Sequence, residues 1–192
     1  MRIESVEQND AVLVEAAQQG RLASFGALYQ RYHNPIVALA YAQLGDKHSA
    51  EDAAQEVFAI ACRDLRSLRD RDKFGAWLGG ICRNVTKQML RVKTRTAPLP
   101  GRDADGDARY CVSTDQPGQE EQWDAVRKAV WKLPEAEREL VVMRYFNGFS
   151  QAKISQVLDM TPAAVNGKLT RAKHRIAQLL ERDGFGSESW DA

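Results

Sequence analysis

Residues 94–121, TRTAPLPGRDADGDARYCVSTDQPGQEE, interrupt the chain more firmly than any other stretch. They hold three prolines (Pro98, Pro100, Pro117) and three glycines (Gly101, Gly106, Gly118), and no apolar period survives. Proline removes a backbone donor and glycine gives no side chain to bury, so the stretch reads as a flexible tether. The 192 residues are therefore expected to divide into a unit of residues 1–95, a linker 96–121, a second unit 122–182 and a tail 183–192. Each unit is small, and with 44% hydrophobic residues each can still form a core.

On both sides of the tether the apolar residues recur with helical spacing, and no alternating strand pattern is found. The spacing predicts a helix over about 10–19, stopped by Gly20, and a second capped by Ser24 that buries Phe25, Leu28 and Tyr32. Pro35 opens a third, IVALAYAQL, which Gly45 ends. Ser49 caps a fourth that reaches about Cys62, and the charged DLRSLRDRD reads as a loop. The next helix covers about 73–93 with Phe74, Trp77, Leu78, Ile81 and Val85 on one stripe. Phe74 and Trp77 are assigned to the core on that ground rather than to base stacking. Beyond the tether, WDAVRKAVWKL buries Trp123, Val126, Val130 and Leu133, and Pro134 starts EAERELVVMRYF, which Asn147-Gly148 terminates. The fold class is all-α.

The net charge of +1 conceals segregation. Residues 1–62 carry four basic against eight acidic side chains, residues 63–95 ten against three, and residues 122–182 eleven against six. Two cationic blocks suit phosphate, and the acidic block suits a different partner. The acidic block has a focus. In SAEDAAQEVF (49–58), Ala50, Ala53, Ala54, Val57 and Phe58 form the buried face, while Asp52, Gln55 and Glu56 share the other without a lysine or arginine among them. Capping and the helix dipole account for acids in a first turn only. A basic protein partner accounts for the whole patch.

The second cationic block contains a helix-turn-helix pattern. Ser150 caps QAKISQVL, Asp159-Met160 makes a tight turn, and Thr161-Pro162 opens AAVNGKLTRAKHRIAQLL. Val165, Leu169, Ala172 and Ile176, with Leu179 or Leu180, point inward; Asn166, Lys168, Arg171, Lys173 and Arg175 do not. A basic second helix after a short capped one is the arrangement that enters a DNA major groove. Gly167 within it allows close approach to a phosphate backbone.

With these pieces in order, the chain resembles the bacterial RNA polymerase sigma factors of the sigma-70 family, in the small two-domain extracytoplasmic-function group. SAEDAAQEVF is similar to the polymerase-binding helix of that family, FGAWLGGICRNVTKQMLR to the segment that opens and reads the −10 element, and residues 133–176 to the domain that reads the −35 element. The resemblance implies that Asp52, Gln55 and Glu56 meet the clamp helices of the largest subunit of core RNA polymerase. It implies further that Arg66, Arg69, Lys73, Arg83, Asn84, Lys87 and Arg91 contact the −10 region. At the −35 element it implies Thr161, Ala163, Asn166, Lys168, Arg171, Lys173 and Arg175. By the same resemblance the linker acids could run near the nascent RNA, and an anti-sigma protein is one conceivable regulator. Lys153, Ser155, Asp159, Asn166 and Gly167 depart from the family pattern, which has glutamate, alanine, glycine and more basic or Ser-like residues there.

Two other readings exist. A stand-alone helix-turn-helix regulator explains residues 122–182 but gives the acidic face no task. An enzyme acting on nucleic acid would need a carboxylate cluster, a nucleophile with its base or a glycine-rich phosphate loop, and none stands out. Neither a catalytic residue, a metal site nor a cofactor is expected. Cys62, Cys82 and Cys111 are odd in number and dispersed; Cys62 and Cys82 are expected to pack as small apolar residues. MRIESVEQND lacks a secretory pattern and IVALAYA is too short to span a bilayer, so a soluble cytoplasmic protein with no membrane insertion is expected.

Overall fold

The computed structural model describes residues 9–96 and 120–185. The expected tether falls largely outside them, as does the end of the tail. The described residues form eight α-helices and no strand: α1 (Asp10–Gln18), α2 (Leu22–Leu44), α3 (Lys47–Asp64), α4 (Phe74–Thr96), α5 (Glu120–Trp131), α6 (Glu135–Val141), α7 (Gln151–Leu158) and α8 (Pro162–Arg182).

In the first unit, α2, α3 and α4 pack around Leu28, Tyr32, Ile36, Leu39, Val57, Phe74 and Leu78, all fully or nearly fully buried. Between α2 and α3, Ala38, Ala42, Ala50, Ala53 and Ala54 are also buried, and their small side chains let the two backbones approach closely. Helix α1 is tied to α2 through Asp10, which accepts hydrogen bonds from Arg31 and the Tyr32 hydroxyl.

The structure departs from the sequence-based expectations at several points. Pro35 does not open a new helix; α2 begins at Leu22, not behind a Ser24 cap, and runs through Pro35 for 23 residues. An interior proline costs ~3 kcal/mol, yet every residue from Pro35 to Ala42 is buried, and that burial outweighs the lost hydrogen bond. Second, Ser49 is not the cap of α3: Asp46 is, its carboxylate accepting the Ser49 N–H at 2.8 Å. Third, the charged stretch 63–73 is not an irregular loop. It folds as two 3₁₀ turns, Leu65–Ser67 and Arg71–Lys73, with Leu65 and Leu68 buried. The Gln18 side chain donates to the carbonyls of Leu65 at 3.0 Å and Leu68 at 2.9 Å, meeting the backbone demand of the segment. Fourth, Cys62 is exposed, whereas Cys82 is buried as expected, its thiol pushed up to about 12 by desolvation.

In the second unit Leu140, Met143, Ile154, Val157, Val165, Leu169 and Ala172 form the core of α6, α7 and α8, and Ala125, Ala129 and Leu180 fasten α5 to α8. Trp123 is more exposed than its stripe predicts, and Pro134 is the N-cap of α6 rather than its first residue. A π-helical turn, Val142–Phe146, ends that helix before Asn147 and Gly148, the latter at φ 68°. The remaining signals read as the sequence implies. Ser150 caps α7, Asp159 takes the left-handed conformation at φ 53°, and Thr161 accepts from Ala164 N–H with Pro162 in the first turn of α8. The two units are not apart: their buried residues form one continuous apolar cluster, and α4 lies directly on α7.

Candidate functional site

Three surfaces collect the chemistry. On α3, the residues Asp52, Gln55 and Glu56 are all exposed, while Ala53, Ala54, Val57 and Phe58 beneath them are buried. Because the helix begins at Lys47, the patch lies beyond the first turn. The helix dipole acts mainly on the first turn and does not account for it. A feature unseen in the sequence lies beside this patch. Asp52 and Glu56 border a groove of about 510 Å³ whose other wall is Val85, Met89, Leu90 and Val92 of α4. Leu90 is 38% and Val92 56% exposed, an apolar strip next to acids. That pairing suits an amphipathic basic helix.

The second surface is the 3₁₀ segment with α4. Arg66 and Arg69 project from the first turn region, and Asn84, Lys87 and Arg91 from α4; all are exposed. Lys73 and Arg83 differ. The Lys73 ammonium lies 2.6 Å from Asp159, a hydrogen bond that raises its pKa. The Arg83 guanidinium meets both oxygens of Glu139, at 3.1 and 3.4 Å. Glu139 is only 4% exposed and also accepts from the Gln43 amide at 2.7 Å. Gln43 in turn accepts from the buried Thr86 hydroxyl. Phe74 is fully buried and Trp77 half-buried against the core, as their stripe predicts.

The third surface is α8. Ala163, Asn166, Gly167 and Thr170 recur at helical spacing and are all exposed. All four are short, and a methyl placed on Gly167 would meet nothing within 4 Å. A helix with so low a face can settle deeply into a groove. Arg171, Lys173 and Arg175 follow on exposed positions, whereas Lys168 is half-buried, contrary to its expected outward placement. Lys173 stacks over the exposed Tyr145 ring at 5.3 Å, and Arg175 lies 3.6 Å from Glu137. Among the described residues no group of three or more His, Cys, Asp or Glu could hold a metal ion.

Sequence reasoning missed Glu139, Gln43 and Thr86, whose partners lie far along the chain. It also passed over Gly75 and Gly79, although two glycines four apart in a helix do signal a close backbone contact.

Comparison with known proteins bears on these surfaces. The family described as Sigma-70 region 2 matches residues 28–96, and Sigma-70, region 4 matches residues 123–176. The ECF RNA polymerase sigma factor BldN of Streptomyces coelicolor is 30% identical over 174 residues, covering 89% of this chain and 66% of BldN. The RNA polymerase sigma factor CnrH of Cupriavidus metallidurans is 30% identical over 186 residues, covering 92% of this chain and 97% of CnrH. Among solved structures, CnrH in complex with the cytosolic domain of CnrY shares the fold. Its TM-score is 0.60 at 24% identity, over 92% of this chain and 99% of that one.

Proposed function

The chain belongs to the sigma-70 family of RNA polymerase sigma factors, in the extracytoplasmic-function group, and from that premise we propose how its three surfaces divide the work. A sigma factor binds core RNA polymerase and directs it to promoter DNA for initiation. In our assignment residues 1–95 hold the polymerase and engage the −10 element, and residues 122–182 read the −35 element.

The exposed acidic face of α3 beside its apolar groove supports this reading most directly. Asp52, Gln55 and Glu56 meet cationic clamp helices of the largest subunit, and Leu90 and Val92 supply apolar contact for the same partner. Arg66, Arg69, Lys73, Arg83, Asn84, Lys87 and Arg91 follow the phosphates of the unpaired strand. The low face of α8, with Ala163 and Asn166, enters the major groove, capped at its start by Thr161; Lys168, Arg171, Lys173 and Arg175 serve the −35 duplex, Arg171 and Lys173 holding phosphate. The chain supplies binding and positioning, and the polymerase supplies the bond-making chemistry. Among the described residues no helix is long and apolar enough to cross a membrane, and the cytoplasm, where polymerase works, is the proposed location. An anti-sigma protein is a regulator compatible with this scheme.

Run-off transcription with core polymerase on a promoter library tests the proposal. Promoter-dependent transcripts are expected. Duplex DNA binding without any transcript would instead mark a stand-alone helix-turn-helix regulator, which leaves the acidic face of α3 unused.

A further inference from the structure

The turn that joins α1 to α2 and the segment that ends α3 enclose a cleft of about 350 Å³. Its lining is of two kinds. Leu22, Phe25 and Leu65 give it an apolar part, and Leu22 is 79% exposed, more than any other large apolar residue described. Arg21, Arg63 and Arg66 give it a cationic part, and all three are exposed.

Three guanidinium side chains at one cleft repel one another, and the fold offsets only part of that charge. Arg63 is held by the neighbouring Asp64 at 2.8 and 2.9 Å. Glu15 of α1 is turned to Arg71, at 3.2 Å. Among the described residues Arg21 and Arg66 form no ion pair. Arg21 is also the N-cap of the 23-residue α2, yet it makes no side-chain hydrogen bond there, and the first turn carries no acid. The unmet N–H groups at that helix start add positive potential beside the arginines.

We propose that this cleft binds a nucleoside triphosphate, its phosphates on Arg21 and Arg66 and its base against Leu22 and Phe25. A guanidinium fork pairs with phosphate oxygens bidentately, and a flat base finds apolar and aromatic contact. Neither part of the lining suffices alone. A bare phosphate leaves the apolar part in water, and a neutral ring leaves the cations unmet. The volume falls in the range of roughly 300–1,000 Å³ that small-molecule sites occupy. Arg66 also belongs to the strand-binding surface proposed above, so an occupied cleft withholds one of that surface's cations. This coupling rests on the −10 assignment of Arg66; binding in the cleft does not.

Cys62 lines the same cleft and is exposed, which makes its thiol a reporter of occupancy. The full chain can be titrated calorimetrically with ATP, adenosine and inorganic tripolyphosphate. ATP is expected to bind about ten-fold more tightly than either part, the effect of one added charge-assisted contact. It should slow labelling of Cys62 by neutral N-ethylmaleimide and leave labelling of Cys111 unchanged, as peptide mass spectrometry reads. Arg21→Ala, at an exposed position, is expected to weaken ATP about ten-fold and keep its circular dichroism. With a fluorescein-labelled random single strand of DNA, saturating ATP should lower wild-type affinity about five-fold, the low end of ordinary coupling. Arg21→Ala without ATP should hold the strand as well as wild type. ATP binding no better than tripolyphosphate overturns the nucleotide assignment, and ATP binding without protection of Cys62 overturns the place. Equal loss of ATP and strand affinity in Arg21→Ala makes the cleft a strand contact and overturns a separate site. Protection of Cys62 with unchanged strand affinity overturns the coupling alone.

Discussion

The Asp46 carboxylate accepts the Ser49 backbone N–H at 2.8 Å, so α3 begins at Lys47, two residues before the serine that its sequence offers as a cap. That shift moves Asp52, Gln55 and Glu56 away from the positive end of the helix. Their acidity is then available to explain as a partner surface, because the dipole does not reach them.

Removing this cap should weaken the helix that carries the surface. Asp46→Ala is expected to cost about 0.5–2 kcal/mol, and Asp46→Asn much less, since asparagine caps as well. The Ser49 hydrogen bonds hold the Asp46 carboxyl below its ordinary value of 3.8. A depressed folded pKa means stability present above the unfolded value and lost as pH falls through the lower folded one. The Asp46→Ala deficit should thus be full at neutral pH and shrink below about pH 3.8, as denaturant melts at several pH values would record. A deficit constant through that range would remove the charged cap from the explanation.

Charge reversal on α3 separates partner binding from stability. With Asp52 and Glu56 both changed to lysine, capture by immobilised core polymerase should fall below detection. Exposed positions of this kind shift stability by only about 0.5 kcal/mol or less. Normal capture by the double variant would sink the assignment, and a large loss of melting temperature would point to a structural role instead.

Gln18 provides the third prediction. Its amide serves two carbonyls, of Leu65 and Leu68, under a segment that carries Arg66 and Arg69. Gln18→Ala should cost about 1–3 kcal/mol, the penalty for leaving partly buried backbone acceptors unmet. Amide exchange should accelerate across residues 65–73 while α8 stays as protected as before. Uniform acceleration over the whole chain would show that the effect is global.

What the sequence discloses and what it hides divide along physical lines. The second unit is legible because its punctuation is local: Ser150, Asp159 and Thr161-Pro162 each act on a neighbouring backbone group. The start of α3 is ambiguous because Asp46 and Ser49 are both capping residues, three apart, and only the hydrogen bond decides between them. Pro35 reads as a boundary because propensity cannot know that Ile36 to Ala42 will be buried on all sides. Leu65 and Leu68 are two apolar residues amid charges, too few to show a period. The Arg83–Glu139 pair joins residues 56 apart, and no local pattern encodes it. Resemblance marks Arg83 as a nucleic-acid contact, and only the fold shows a carboxylate already on it.

The last prediction separates base reading from phosphate anchoring on α8. Asn166 lies on the low exposed face with Ala163 and Gly167, one turn into the helix, where side chains reach base edges. Its amide can pair bidentately with adenine, a contact worth roughly 1–3 kcal/mol of discrimination. Asn166→Ala should therefore relax preference at one base pair of the −35 element and leave the salt dependence of binding alone. Arg171 and Lys173 come later, and the Tyr145 ring beneath Lys173 orients its ammonium. Replacing either with alanine should weaken all duplexes alike and reduce the salt slope by about one unit per lost phosphate contact. Arg175 should matter less than either, because Glu137 already lies 3.6 Å from its guanidinium. Binding selection on randomised duplexes at two salt concentrations measures every one of these effects. An unchanged selected motif for Asn166→Ala, or a rewritten one for Arg171→Ala, would reverse the division of labour along the helix.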